Sequence, residues 1–132
     1  MPVLIAALMD STILVCDNEE ILRGLVRASL DGNGYTFAEA RDGDQAVEMA
    51  RRSRPDVILL DMMMPGRTGI EVLEELRRDP ELCAIPVIML TARAQVADRE
   101  AAERAGADLF LAKPFSPKEL AEAVEQLLGR DA

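Results

Sequence analysis

Three runs in this chain are apolar at every position: Ile13 to Cys16, Val57 to Leu60 and Val87 to Leu90. A strand covered on one face only alternates apolar and polar side chains. Uninterrupted runs of this length therefore point to strands buried on both faces, as in a parallel sheet flanked by helices. Leu109 to Ala112 is a fourth run, and Tyr35 to Ala40 is a further candidate strand, less continuously apolar. Between the runs, apolar residues recur at intervals of three and four, as in Leu22, Leu25, Val26 and Leu30 or Leu120, Val124, Leu127 and Leu128. That is the helical period, so strand and helix alternate along the chain.

Turn residues support the same division. Gly32 and Gly34 end the first helix, Asp79-Pro80 the third, Gly106 the fourth and Gly129 the fifth. Ser116-Pro117-Lys118-Glu119 opens the last helix with a hydroxyl at N-cap, proline at N1 and glutamate at N3, the layout of a capping box. Asp42 with Gln45 is a weaker copy. Right-handed crossovers between parallel strands then give an α/β fold, a doubly wound five-stranded parallel sheet with five helices. Of the two common strand orders the five-strand one is 2-1-3-4-5, the flavodoxin-like arrangement, and it puts the less apolar 35–40 strand at an edge. The expected organisation is an extension over 1–11, one domain over 12–129 and a short tail over 130–132.

At 132 residues there is room for one domain. The net charge of −9, from 24 acids and 15 bases, argues against direct binding of nucleic acid, which depends on clustered Lys and Arg. Pro2 to Met9, the first apolar run, is far short of the roughly 20 residues that span a bilayer and has no basic residue before it. The chain reads as soluble and cytoplasmic, with no membrane partner. Cys16 and Cys83 sit in apolar surroundings without a C-x-x-C pairing and read as buried free thiols. Histidine is absent, so any chemistry must run on carboxylates, hydroxyls and lysine.

In an open parallel sheet, ligands bind beyond the carboxyl ends of the strands, where the strand order reverses. The first strand runs into Asp17-Asn18-Glu19-Glu20 and the third into Asp61, so acids stand on both sides of that crevice. The other two apolar strands end at Thr91 and Lys113. Each residue alone reads more simply as a cap, a turn former or a solvated lysine. Four of them on four strand ends make a different set: carboxylates for a hard cation such as Mg²⁺, and an ammonium and a hydroxyl for phosphoryl oxygens.

With those residues in hand, the chain resembles the receiver domain of bacterial two-component response regulators. The resemblance rests on Ile13 to Glu19, Pro55 to Gly66, Pro86 to Ala92, Gly106 to Asp108 and Lys113-Pro114-Phe115, in the family's order and spacing over about residues 12–129. It implies that Asp61 is the phosphoacceptor, that Asp17 belongs to the metal pocket, that Thr91 is the switch hydroxyl and that Lys113 contacts the phosphoryl group. Phe110 matches an aromatic position that changes rotamer on activation, and Lys113-Pro114 matches a peptide bond that is cis in the family. Met63 would lend its backbone carbonyl to the metal. The implied cofactor is Mg²⁺. The implied partners are a histidine kinase or phosphotransfer protein supplying the phosphoryl group, a downstream protein effector, and a second copy in a phosphorylation-linked homodimer. On this reading the chain is a signalling domain that catalyses only its own phosphotransfer and dephosphorylation.

Two positions depart from what the site would otherwise contain. Asn18 stands where the family has a second aspartate, and an amide oxygen brings no charge to the metal, so weakened Mg²⁺ binding is expected, with Glu19 a partial substitute. Met63, two residues beyond Asp61, offers an apolar side chain that cannot orient water, whereas Met62 and Met64 read as packing. Ile21 and Leu22 open the first helix beside the crevice, where the resemblance implies kinase docking, though core packing is the stronger reading of Leu22.

Asn18 also motivates a rival reading, a degenerate receiver that binds proteins without being phosphorylated. An aspartyl-phosphate enzyme would want an acid in place of Met63. A flavin carrier would want a Ser, Thr and Gly-rich loop in place of Asp17-Asn18-Glu19-Glu20. The chain reads equally as a free-standing regulator or as one domain of a longer protein. The absence of a strongly basic end to the last helix favours an output other than DNA.

Overall fold

The computed structural model describes residues 11–92 and 96–129. Ten elements alternate: β1 (Thr12–Cys16), α1 (Glu20–Leu30), β2 (Thr36–Ala40), α2 (Gly43–Ser53), β3 (Val57–Asp61), α3 (Gly69–Arg78), β4 (Val87–Thr91), α4 (Val96–Ala105), β5 (Leu109–Ala112) and α5 (Pro117–Leu128). All strand pairings are parallel and the order is β2-β1-β3-β4-β5, the expected one, with the less apolar β2 at an edge. β3 and β4 are buried at every position, while edge strand β2 is largely half-buried.

The period-2 alternation of strand side chains divides the core into two layers. Leu14, Cys16, Ile58, Leu60, Val87 and Met89 face one way and pack with Ala46, Val47 and Ala50 of α2, Val72, Leu73 and Leu76 of α3, and Ala102 of α4. Ile13, Val15, Val57, Leu59, Ile88 and Leu90 face the other way and pack with Val26 and Leu30 of α1 and Leu120 and Val124 of α5. Burying a Val or Leu side chain contributes about 1.5–3 kcal/mol, against about 0.8 kcal/mol for one methylene-sized group. α3 is therefore tied down by several kcal/mol of burial, while α4, whose only buried residue is Ala102, is held by far less.

The helix ends follow the local chemistry. Ser116 accepts from the Glu119 N–H and the Glu119 carboxylate accepts from the Ser116 N–H, closing the expected box on α5, and Gly129 ends that helix at φ 71°. Thr68 and Glu71 make a second capping box at the start of α3, from a Thr-x-x-Glu signal in the sequence. The Asp42 copy is half of a box: Asp42 accepts from the Gln45 N–H, but the Gln45 side chain takes the N–H of Arg41.

Two expectations about burial need correction. Cys16 is buried, but Cys83 is exposed, because it lies in the turn that follows α3, where the backbone runs over the surface. In α1, Val26 and Leu30 enter the core, but Leu25 is 48% exposed and Leu22 only half-buried, so the core is reached from the second half of the helix. The expected extension and tail lie outside the described residues apart from Ser11, whose carbonyl accepts from the Thr36 N–H.

Candidate functional site

Strand register builds the site. Cys16 is level with Leu60, Asp61 with Leu90, and Thr91 with Ala112, so Asp17, Asp61, Thr91 and Lys113 emerge at the same carboxyl end of the sheet. Asp17, Asp61 and Thr91 are the buried polar residues among those described. Lys113 donates to Asp17 Oδ2 at 2.8 Å, and its ammonium lies 3.4 Å from Asp61 Oδ1. The backbone couples the third strand end to the fourth and the fourth to the fifth: Met62 N–H donates to Leu90 O at 2.9 Å and Lys113 N–H to Thr91 O at 2.7 Å. The Lys113-Pro114 peptide is cis, as the resemblance implied.

Asp17 is held at every polar group. Its N–H donates to Ala40 O at 3.0 Å, and its carbonyl accepts from Arg23 Nη1 at 2.7 Å. Its Oδ1 accepts from the Glu19 N–H at 2.9 Å and its Oδ2 from Lys113. Asp61 is less constrained, with Oδ1 accepting a longer bond of 3.3 Å from the Met63 N–H. Behind it, Gly69 begins α3 close against the strand end. Its N–H donates to Met62 O at 2.9 Å, and a side chain there would collide with the Asp61 carbonyl and come within 2.8 Å of Met62 Cα.

Two carboxylates share one ammonium, and the electrostatics reflect it. Burial, then the charge of Asp17, push the Asp61 carboxyl above its ordinary range, against the opposing pull of Lys113. Burial by itself would lower Lys113, but the hydrogen bond to Asp17 and the charges of Asp61 and Asp17 outweigh it, and the group is raised, so it stays an ammonium at neutral pH. Burial, then Asp17, push the Cys16 thiol far up, which leaves it protonated and unreactive.

The other expected residues are placed as follows. Asn18 is exposed on the loop that leaves β1. The Met63 side chain is 64% exposed at the rim, while Met64 is buried and the half-buried Met62 packs against the same core layer. Phe110 lies below the rim on the α2–α4 side of the sheet, half-buried, with the Arg99 guanidinium 5.2 Å from its ring centre. Ile21 is 87% exposed at the start of α1. Arg23 was not singled out in the sequence, where a charged residue on a helix reads as solvated. Its partners are the Asp17 main-chain oxygen and the Glu39 carboxylate, which only the fold brings to it.

No three Cys, Asp or Glu side chains come together as a metal cage among the described residues. Mg²⁺ does not require one. It is commonly held by one or two carboxylates while keeping several waters. The paired, buried carboxylates of Asp17 and Asp61 at an open rim suit that mode.

A five-stranded parallel sheet of this order, with two carboxylates, a hydroxyl and a lysine gathered at its carboxyl rim, defines a CheY-like receiver. The chain belongs to the response regulator receiver domain family, whose model matches residues 13–125. It is 42% identical over 122 residues to the phosphate regulon transcriptional regulatory protein PhoB of Escherichia coli, a match covering 92% of this chain and 53% of PhoB. The transcriptional regulatory protein ResD of Bacillus subtilis is 43% identical over 121 residues, 92% of this chain and 49% of ResD. The chain thus spans about half the length of the curated relatives it matches. Among solved structures, the receiver domain of the sensor histidine kinase PA1611 of Pseudomonas aeruginosa, described with a magnesium ion coordinated in its active site cleft, superposes with a TM-score of 0.83 at 34% identity, covering 90% of this chain and 98% of that one. The chain is therefore a signalling domain homologous to the two-component regulators. Among the described residues, no helix is long and apolar enough to cross a membrane.

Proposed function

We propose that this domain, residues 12–129, accepts a phosphoryl group on Asp61 from the phosphohistidine of a kinase or phosphotransfer protein and converts it into a change of shape. The observation that carries the reading is the Lys113 ammonium set against the buried carboxylates of both Asp17 and Asp61. A structural lysine at the surface would contact one acid in water. This one stands where an incoming phosphate needs a positive charge.

In the transfer, a carboxylate oxygen of Asp61 attacks phosphorus, the bond from phosphorus to the donor imidazole nitrogen breaks, and its electron pair stays on that nitrogen. The carboxylate must be ionised to attack. Lys113 balances charge on a phosphoryl oxygen and the Thr91 hydroxyl donates to another. Asp17, Asp61, the Asn18 amide oxygen and the Met63 carbonyl would hold Mg²⁺. When bound, it offsets the negative charge that gathers between nucleophile and phosphoryl oxygens. None of these 132 residues is histidine, so the donor lies outside them, and the exposed Ile21 and Leu25 on α1 give the donor domain an apolar surface.

On the output side, movement of Thr91 toward the phosphoryl group opens space for Phe110, and the lightly anchored α4 shifts with β5 and α5. The receiving partner is a protein effector or a second copy of the chain. A cytoplasmic location fits a kinase donor. PhoB is named as a transcriptional regulator, and a chain that aligns with half of it can serve such an output through a separate part of a longer protein, while the acidic charge of −9 keeps the receiver itself off nucleic acid.

Incubation with acetyl phosphate and Mg²⁺, followed by intact mass, tests the reading. Gain of one phosphoryl group that Asp61→Asn abolishes is expected. No gain in the wild-type protein would favour the unphosphorylated binding module that Asn18 suggests.

A further inference from the structure

Asp17 reaches across to Lys113 from a peptide whose carbonyl is held by a side chain outside the site. Arg23 Nη1 donates to that carbonyl at 2.7 Å, and the same guanidinium, through Nε, donates to Glu39 Oε1 at 2.8 Å. Glu39 sits on edge strand β2, where it is paired with Val15 of β1, and its other oxygen accepts from Arg27 Nη1 at 2.9 Å. Arg23 is the enclosed member of this trio, with 13% of its side chain exposed against 55% for Arg27. A planar fork can hold a carboxylate and a carbonyl at fixed angles at the same time, which a lone ammonium or an amide cannot.

We infer that Arg23, oriented by Glu39, is a positioning residue for the phosphoacceptor site: it locks the Asp17 peptide so that the Asp17 carboxylate faces the cation position and Lys113. The inference rests on the phosphoacceptor reading above. Arg23 touches no reacting group itself. Its effect runs through one peptide unit, and Arg27, which shares Glu39 but does not reach Asp17, should have none.

Titration of Mg²⁺ into the unphosphorylated protein by calorimetry tests this without reference to turnover. Partners that orient a metal's ligands commonly affect affinity by ten- to a hundredfold, and for Arg23→Gln a loss of about tenfold is expected. With acetyl phosphate, the half-saturating Mg²⁺ should rise by the same factor while the rate at saturating Mg²⁺ stays close to wild type. Arg27→Gln should match wild type in both measurements. Wild-type affinity in Arg23→Gln, or an equal loss in Arg27→Gln, overturns the inference. Should Arg23→Gln not fold, Glu39→Gln frees the same guanidinium and should weaken Mg²⁺ in the same direction; unchanged affinity there also overturns it. A wild-type protein that binds no Mg²⁺ and takes no phosphate would instead bring down the phosphoacceptor reading itself.

Discussion

Lys113 Nζ lies 2.8 Å from Asp17 Oδ2, a contact made across 96 residues of chain. Asp17 is fully buried, and the same nitrogen lies 3.4 Å from Asp61 Oδ1. Among the described residues, one ammonium thus pairs with two carboxylates that the parallel register brings together. Burial and the charge of Asp17 outweigh the pull of Lys113 on Asp61, which makes its ionised form a cost to the fold.

Replacing Asp61 by Asn should therefore stabilise the protein even as it removes the proposed acceptor. Burial and Asp17 raise the Asp61 carboxyl, so the folded state holds the proton more tightly than the unfolded chain does. The contribution of such a group is fully favourable below the unfolded carboxyl value, about 3.9, and is lost as pH rises through the raised folded value. The advantage of Asp61→Asn should grow as pH rises through the raised folded value and vanish as pH falls below the unfolded carboxyl value, about 3.9. Thermal melts check it, at about 4 °C for each kcal/mol relieved. Equal melting temperatures at pH 7 would mean that the site is not under charge strain.

Asn18→Asp should tighten Mg²⁺. The side chain is exposed at the rim, where an added carboxylate brings charge at little desolvation cost. Calorimetry is expected to give a gain on the order of tenfold, or 1.4 kcal/mol. Equal affinity in both proteins would remove position 18 from the metal pocket.

The Met63 side chain stands 64% exposed two residues beyond the proposed acceptor Asp61 and offers no polar group to hold a water. Met63→Asn should shorten the lifetime of the phosphorylated protein several-fold, because an amide can orient the attacking water. An unchanged decay rate, followed by intact mass after removal of the donor, would count against this role.

Arg99 lies against the Phe110 ring at 5.2 Å. Such a contact at an exposed position is worth about 0.5–1 kcal/mol, roughly two- to fivefold in an equilibrium. If Phe110 leaves that position on activation, Arg99→Ala should raise the phosphorylated fraction at limiting acetyl phosphate by up to that factor. No change would separate Phe110 from the switch.

The parts of this molecule that are legible in its sequence are those set by local pattern or by register. Runs buried on both faces announce β3 and β4, the Ser116 signal announces α5, and strand ends in a parallel sheet converge, which brings Asp17, Asp61, Thr91 and Lys113 to one rim. What escaped depends on long-range partners. Cys83 looked interior from its apolar neighbours, but exposure of a turn is decided by where the chain runs. Arg77 gave no signal either: its guanidinium donates to the carbonyls of Gly106, Cys83 and Ile85 and to Asp108, joining α3 to the start of β5. Arg23 is the same case at the functional end. Arginines that bind main-chain oxygens have no periodicity to betray them. The Thr68 capping box, by contrast, is set by local pattern alone, Thr68 and Glu71 three residues apart.

The most direct test is to locate the phosphoryl group. After reaction with acetyl phosphate and Mg²⁺, borohydride reduces an aspartyl phosphate to homoserine, and peptide mass spectrometry reads the position. Conversion at residue 61 alone is expected. Conversion at another acid, or at none, would contradict the assignment of Asp61 as the acceptor.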